Sequence, residues 1–112
     1  MHTSNPSQVT VTVDANGTPV CSPDPVRARG RDALLMFELQ TAGYVFPKDA
    51  AVVVSDPGSQ FPQPSRTLPP HETTATLLDR NTEVGSFKYT LTVKHVASGR
   101  LVPLDPTIQN DL

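Results

Sequence analysis

Twelve of the 112 residues are proline, roughly twice ordinary usage, and they are spread so that most of the chain is cut into short pieces. Proline has no backbone N–H and a fixed φ, so it is excluded from helix interiors and from the middle of a sheet, and tolerated at edges and turns. Between the prolines, valine and threonine recur in alternation, and β-branched side chains suit a pleated surface. These features predict an all-β chain of short strands. The charge balance of 9 basic against 11 acidic residues carries no nucleic-acid footprint. The longest unbroken apolar runs, 33–37 and 50–54, fall far short of the roughly 20 residues a membrane-spanning helix needs, so no membrane is expected as a partner.

Residues 1–7 read as a disordered tail and 8–112 as a single β-sandwich domain. The segment 8–14 (QVTVTVD) places Val9, Val11 and Val13 on one side and Thr10 and Thr12 on the other, the period of a half-buried strand. Asn16-Gly17 tolerates the positive φ of a tight turn, so the chain reverses there and returns through Thr18 to Cys21. Pro23 and Pro25 then interrupt the ladder, which predicts a bulge or a change of sheet before pairing resumes at 26–29. The run 33–40 is apolar on both faces and too short, between Gly30 and Gly43, for a stable helix; it predicts a central strand. A short aromatic segment follows at 43–47, and a further strand at 51–55. Five prolines in 56–70 predict a long loop or a polyproline-like edge segment. After a strand at 73–78, residues 86–95 form the clearest strand, with Phe87, Tyr89, Leu91 and Val93 toward the core. Pro103 and Pro106 place the last segment, 101–108, along an edge. The expected architecture is a two-sheet antiparallel β-sandwich of about seven or eight strands.

Three segments carry a family resemblance: Pro23-Asp24-Pro25-Val26, the strand from Phe87 to Val93, and Leu104-Asp105-Pro106-Thr107-Ile108. Over nearly its whole length the chain resembles the DP-EP family of small bacterial proteins of unknown function. The resemblance implies an immunoglobulin-like sandwich and supplies no catalytic or binding residues; no Glu-Pro dipeptide occurs here. The segment 85–93 is also similar to the penultimate strand of many immunoglobulin-like and cupredoxin-like sandwiches.

A small β-sandwich with Cys21, His71, His95 and Met36 raises the question of copper, which needs two His and a Cys thiolate to converge. No His follows Cys21 closely, and the late turn 97–100 holds no ligand, so no metal is expected. Cys21 as a nucleophile would need His71 or His95 beside it; a buried, inert thiol is the expectation. As the only cysteine it forms no disulfide within the chain, which fits a reducing cytoplasm, and residues 1–8 lack the features of a secretory leader. Paired carboxylates, a phosphate-cradling glycine loop and a nucleophile elbow are all missing, so neither catalytic residues nor a cofactor is expected. Arg27, Arg29 and Arg31 lie at i, i+2 and i+4, on one side of an extended strand, and guanidinium groups suit carboxylate or phosphate.

The sequence therefore reads as a non-enzymatic module that works by association. Val52, Val53 and Val54 form a flat apolar strand that a second copy would cover if it lies at an edge, giving a homo-oligomer or a contact with an unidentified protein partner. The alternative is a sugar- or anion-binding module, in which Tyr44, Phe46 and Phe61 line a cleft with the 56–70 loop and the arginine stripe contributes charge.

Overall fold

Alternating valine makes Ser7–Val13 a strand, β1, that buries Val9, Val11 and Val13. The computed structural model describes residues 7–111, and their regular elements are all strands. The tail expected at 1–7 lies outside these residues except for Ser7, which opens β1. Ten strands follow: β2 (Pro19–Ser22), β3 (Val26–Arg29), β4 (Ala33–Leu39), β5 (Tyr44–Val45), β6 (Val52–Val54), β7 (Arg66–Leu68), β8 (Thr74–Asp79), β9 (Gly85–His95), β10 (Leu101–Leu104) and β11 (Thr107–Asp111). No helix among the described residues is long and apolar enough to cross a membrane.

The β1–β2 turn is built as the sequence predicts. Gly17 takes a φ of 80°, and the Asp14 carboxylate accepts the N–H groups of Asn16 and Thr18. The chain then changes sheet across Pro23-Asp24-Pro25. β2 belongs to a five-stranded sheet ordered β2-β1-β4-β8-β7, whereas β3 lies in the second sheet. β4 occupies the middle of the first sheet, paired with β1 on one side and β8 on the other.

The second sheet is built on β9. Leu104 lies opposite Leu91 and Thr107 opposite Lys88, a single unbroken register, so β10 and β11 run in succession along one edge of β9. Asp105-Pro106 is only a break between them, and the Pro106 carbonyl there still accepts the Tyr89 N–H at 3.1 Å. β3 pairs with the far side of β11, while β5 and β6 line the opposite edge of β9. The two Asp-Pro elements meet: the Thr107 N–H donates to Asp24 Oδ1 at 2.9 Å, and the Asp105 carboxylate accepts the Thr90 hydroxyl at 3.0 Å.

Three expectations need correction. The sheets are mixed rather than antiparallel, because β1 runs parallel to β4 and β3 parallel to β11. Eleven extended segments replace seven or eight, since short β5 and β7 pair separately and Asp105-Pro106 divides one path into two. The last segment is not all edge: β11 is flanked by β9 and β3, and both prolines precede it. The 56–70 segment carries β7 near its end, the outermost strand of the first sheet.

Between the sheets, Val9, Val11, Leu35, Phe37 and Leu77 meet Tyr89, Leu91, Val93, Ile108 and Val26 in one apolar cluster. The Phe37 and Tyr89 rings pack at 5.6 Å with a 59° tilt. Each such large side chain contributes roughly 1.5–3 kcal/mol by leaving water. Leu91 is wholly buried at the middle of β9. Leu91→Ala is expected to cost about 2–5 kcal/mol in urea unfolding, whereas Val84→Ala, on an exposed turn, should stay within about 0.5 kcal/mol.

Candidate functional site: the groove beside β6

β6 is three valines with no charge. Opposite β9, Val52 faces Leu91, Val53 faces Thr90 and Val54 faces Tyr89. The flanking bonds from the Thr92 N–H to the Ala51 carbonyl and from the Ser55 N–H to the Lys88 carbonyl fix the phase of the ladder. Val53 therefore turns its N–H and C=O toward β9, and Val52 and Val54 turn theirs away. The Val52 N–H is taken by Ser65 Oγ at 3.1 Å. The Val54 N–H and C=O make no hydrogen bond among the described residues. Among the described residues no strand pairs with this side of β6, so it is a sheet edge, closed at one end by Ser65. The Val52 side chain is 3% exposed and that of Val53 49%.

The opposite wall is the proline-rich loop, and one buried amide holds it in place. Gln60 Oε1 accepts the Thr82 and Glu83 N–H groups at 2.8 and 3.2 Å, and Gln60 Nε2 donates to Thr82 Oγ1 at 2.8 Å. The Arg80 N–H donates to the Gln60 carbonyl at 2.7 Å. So anchored, the loop turns Phe61 inward, where its ring meets Phe87 edge-on at 5.2 Å. The result is a groove of about 360 Å³ whose apolar lining includes Val52, Val54, Phe61, Pro64 and Leu77, with Asp49, Gln63 and Ser65 as polar members. No pattern in the residues marked Gln60 or Leu77 as parts of this site: a lone amide among prolines has no periodicity, and Leu77 belongs to the other sheet.

The remaining candidates do not gather into one site. Arg27 and Arg29 are exposed on the same side of β3, and Arg27 bonds Asp111 at 3.0 Å, a solvated pair worth little. Gly30, at a φ of 75°, ends β3, so Arg31 leaves the stripe and borders a different cavity with Leu78 and Arg80. The expected aromatic cleft does not form. Phe46 is fully buried, Phe61 is 9% exposed in the groove, and Tyr44 packs on His95 at 5.0 Å, bordering neither the groove nor the cavity beside Phe46. Those three aromatics belong to separate places: Tyr44 is half-buried on β5, the chain reaches the core only at Phe46, and Phe61 sits in the loop beside β6.

Cys21 is buried, and burial pushes its thiol up to about 11, against a lowering contact with the Tyr89 hydroxyl and with a further push from Asp24. His71 is exposed on a turn, and His95 Nδ1 lies 2.8 Å from Ser98 Oγ. Among the described residues no three His, Cys, Asp or Glu side chains gather to hold a metal ion. No family model matches the sequence, and no curated protein matches it.

The raised thiol value lowers the thiolate fraction at neutral pH about 100-fold relative to an ordinary cysteine. Iodoacetamide should accordingly modify folded Cys21 at least that much more slowly than the urea-unfolded chain, as followed by intact mass.

Proposed function

We propose that the chain is a non-enzymatic, immunoglobulin-like association module that works in a reducing cytoplasm and pairs with a second copy of itself through β6. The order β1-β4-β8-β7 in one sheet, and β9 between β6 and the β10–β11 path in the other, supports the immunoglobulin-like type, which sets four strands against three in this sequence. The Asp-Pro elements behind the DP-EP resemblance bond to the backbone and to Thr90, and so act as structural ties.

The observation that carries the reading is the unpartnered Val54 N–H and C=O beside an apolar groove. An edge strand of this kind normally carries a lysine, a proline or a bulge that discourages pairing, and Val52, Val53 and Val54 include none. A partner strand would satisfy both backbone groups of Val54 and place side chains in the groove. The groove also has the volume of a small-molecule site, but its lining favours an apolar occupant over a sugar or an anion.

Light scattering across the micromolar range is expected to give a dimer mass. Val53→Lys sets like charges opposite one another at the contact, and Val54→Pro removes the outward N–H. Each should give a monomer with an unchanged circular dichroism spectrum. A monomeric wild-type chain throughout that range rejects the reading.

A further inference from the structure

Beneath the loop anchor lies a sealed polar cluster formed by Gln60, Asp79, Asn81 and Asn110, all at most 2% exposed. Three of its oxygens have no hydrogen-bond partner: Asp79 Oδ2, Asn81 Oδ1 and Asn110 Oδ1. The amides cannot be turned over to relieve this. Asn81 Nδ2 faces three backbone carbonyls, those of Ala28, Gly30 and Asp111, at 3.1, 2.9 and 3.0 Å. Asn110 Nδ2 donates to the Glu83 carbonyl at 3.0 Å and to Gln60 Oε1 at 3.2 Å. Gln60 is fixed in turn by the two backbone N–H groups that its oxygen accepts. Reversing any of these amides would set oxygen against oxygen or N–H against N–H. Asp79 Oδ1 already accepts the Asn81 N–H at 2.9 Å. The cluster is thus short of a donor, and the only group able to supply one by gaining a proton is Asp79.

We propose that Asp79 is held as the neutral carboxylic acid, its Oδ2–H donating to the amide oxygen of Asn110, and that this proton latches the C-terminal strand β11 to β8 and the Gln60 loop. Asn110 is a neighbour of the carboxyl, and Asp79 Oδ2 and Asn110 Oδ1 are both buried without a partner among the described residues. One proton converts an unpartnered acceptor into a donor and satisfies two oxygens at once. Burial is the largest influence on Asp79 and raises its carboxyl above the ordinary 3.8, while the Asn81 N–H and the Asn110 side chain pull the other way. Both hydrogens on the Asn110 nitrogen are already committed to Gln60 and Glu83.

The charged side chains on the surrounding elements are Arg27 and Arg29 on β3, Arg31 and Asp32 in the turn before β4, Arg80 and Glu83 beside Asp79's own turn, and Asp111 on β11. All are exposed or half-buried, and none is among the influences on Asp79. Losing the proton buries a charge with no donor for its second oxygen, a cost relieved by opening the turn through Asn81. That turn holds the carbonyls of Ala28, Gly30 and Asp111, so its opening frees the ends of β3 and β11. The inference is independent of what occupies the groove.

A carboxyl value raised by folding contributes stability that is complete below pH 3.8 and is lost as pH climbs through the folded value. The carboxyl carbon of Asp79, followed by NMR in the wild-type chain, is expected to titrate well above an ordinary aspartate. Asp79→Asn keeps the acceptor for Asn81 and supplies a permanent donor. Its urea midpoint should exceed that of the wild type at pH 8 and remain flat where the wild-type midpoint falls as pH rises above 3.8, after subtraction of the changes seen in both. Hydrogen exchange at Gln109–Asp111, compared at matched pH, should be faster in the wild type than in the variant, increasingly so as pH rises. A carboxyl that titrates at the ordinary aspartate value overturns the proposal. So does an Asp79→Asn protein that is destabilised as much as Asp79→Ala at every pH.

Discussion

The structure hangs on one strand. β9 is eleven residues long, and Tyr89, Leu91 and Val93 sink from it into the space between the sheets. Both of its edges are used in succession: β11 then β10 along one, β6 then β5 along the other. A pleated strand can serve four partners only if its side chains keep strict alternation over its length, since a slip of one residue would turn the core-facing set outward. The uninterrupted order Tyr89-Thr90-Leu91-Thr92-Val93 meets that demand, and the short neighbours borrow their register from it. β5, β6 and β10 have four residues or fewer and too little surface to hold position alone.

A second requirement is polar. β3 and β11 end together near Asn81, where strand carbonyls would otherwise be buried without donors. Asn81 closes those ends, Asn110 ties β11 to the Glu83 carbonyl, and Gln60 brings the proline-rich loop down onto the same cluster. The outer groove and the inner seal are thus two faces of one anchor: Gln60 bonds inward, and its neighbour Phe61 becomes the wall of the groove. Because a buried amide with missing partners is costly, these few side chains fix the path of a loop whose prolines cannot hold it by a backbone ladder.

Much of this was legible in the residues. Alternation placed β1 and β9 on their correct faces, the run through Phe37 marked a central strand, and Pro23-Asp24-Pro25 marked a change of sheet. Pairing direction was not legible, because the side-chain period of two is the same in parallel and antiparallel strands. Pro106 misled for a specific reason: it ends β10, and the strand after it lies inside the sheet. The three aromatics offered as a cleft carried no directional signal, since Phe46 and Phe61 lie in segments without a repeating pattern. The valines of β6 did lie at an edge, but Ser65, which covers half of it, lies thirteen residues from Val52 and had no pattern to reveal it.

The parallel pairing of β3 with β11 has a consequence for how the chain comes to be folded. β3 begins at Val26, and its ladder partner among the described residues begins at Thr107. As the chain is synthesised, β1, β2, β4 and β8 can therefore pair while β3 touches β1 and β4 without a ladder, and the second sheet closes at that border only once β11 has emerged. Closure at that border is therefore a late event, in which β11 fastens a segment synthesised long before it.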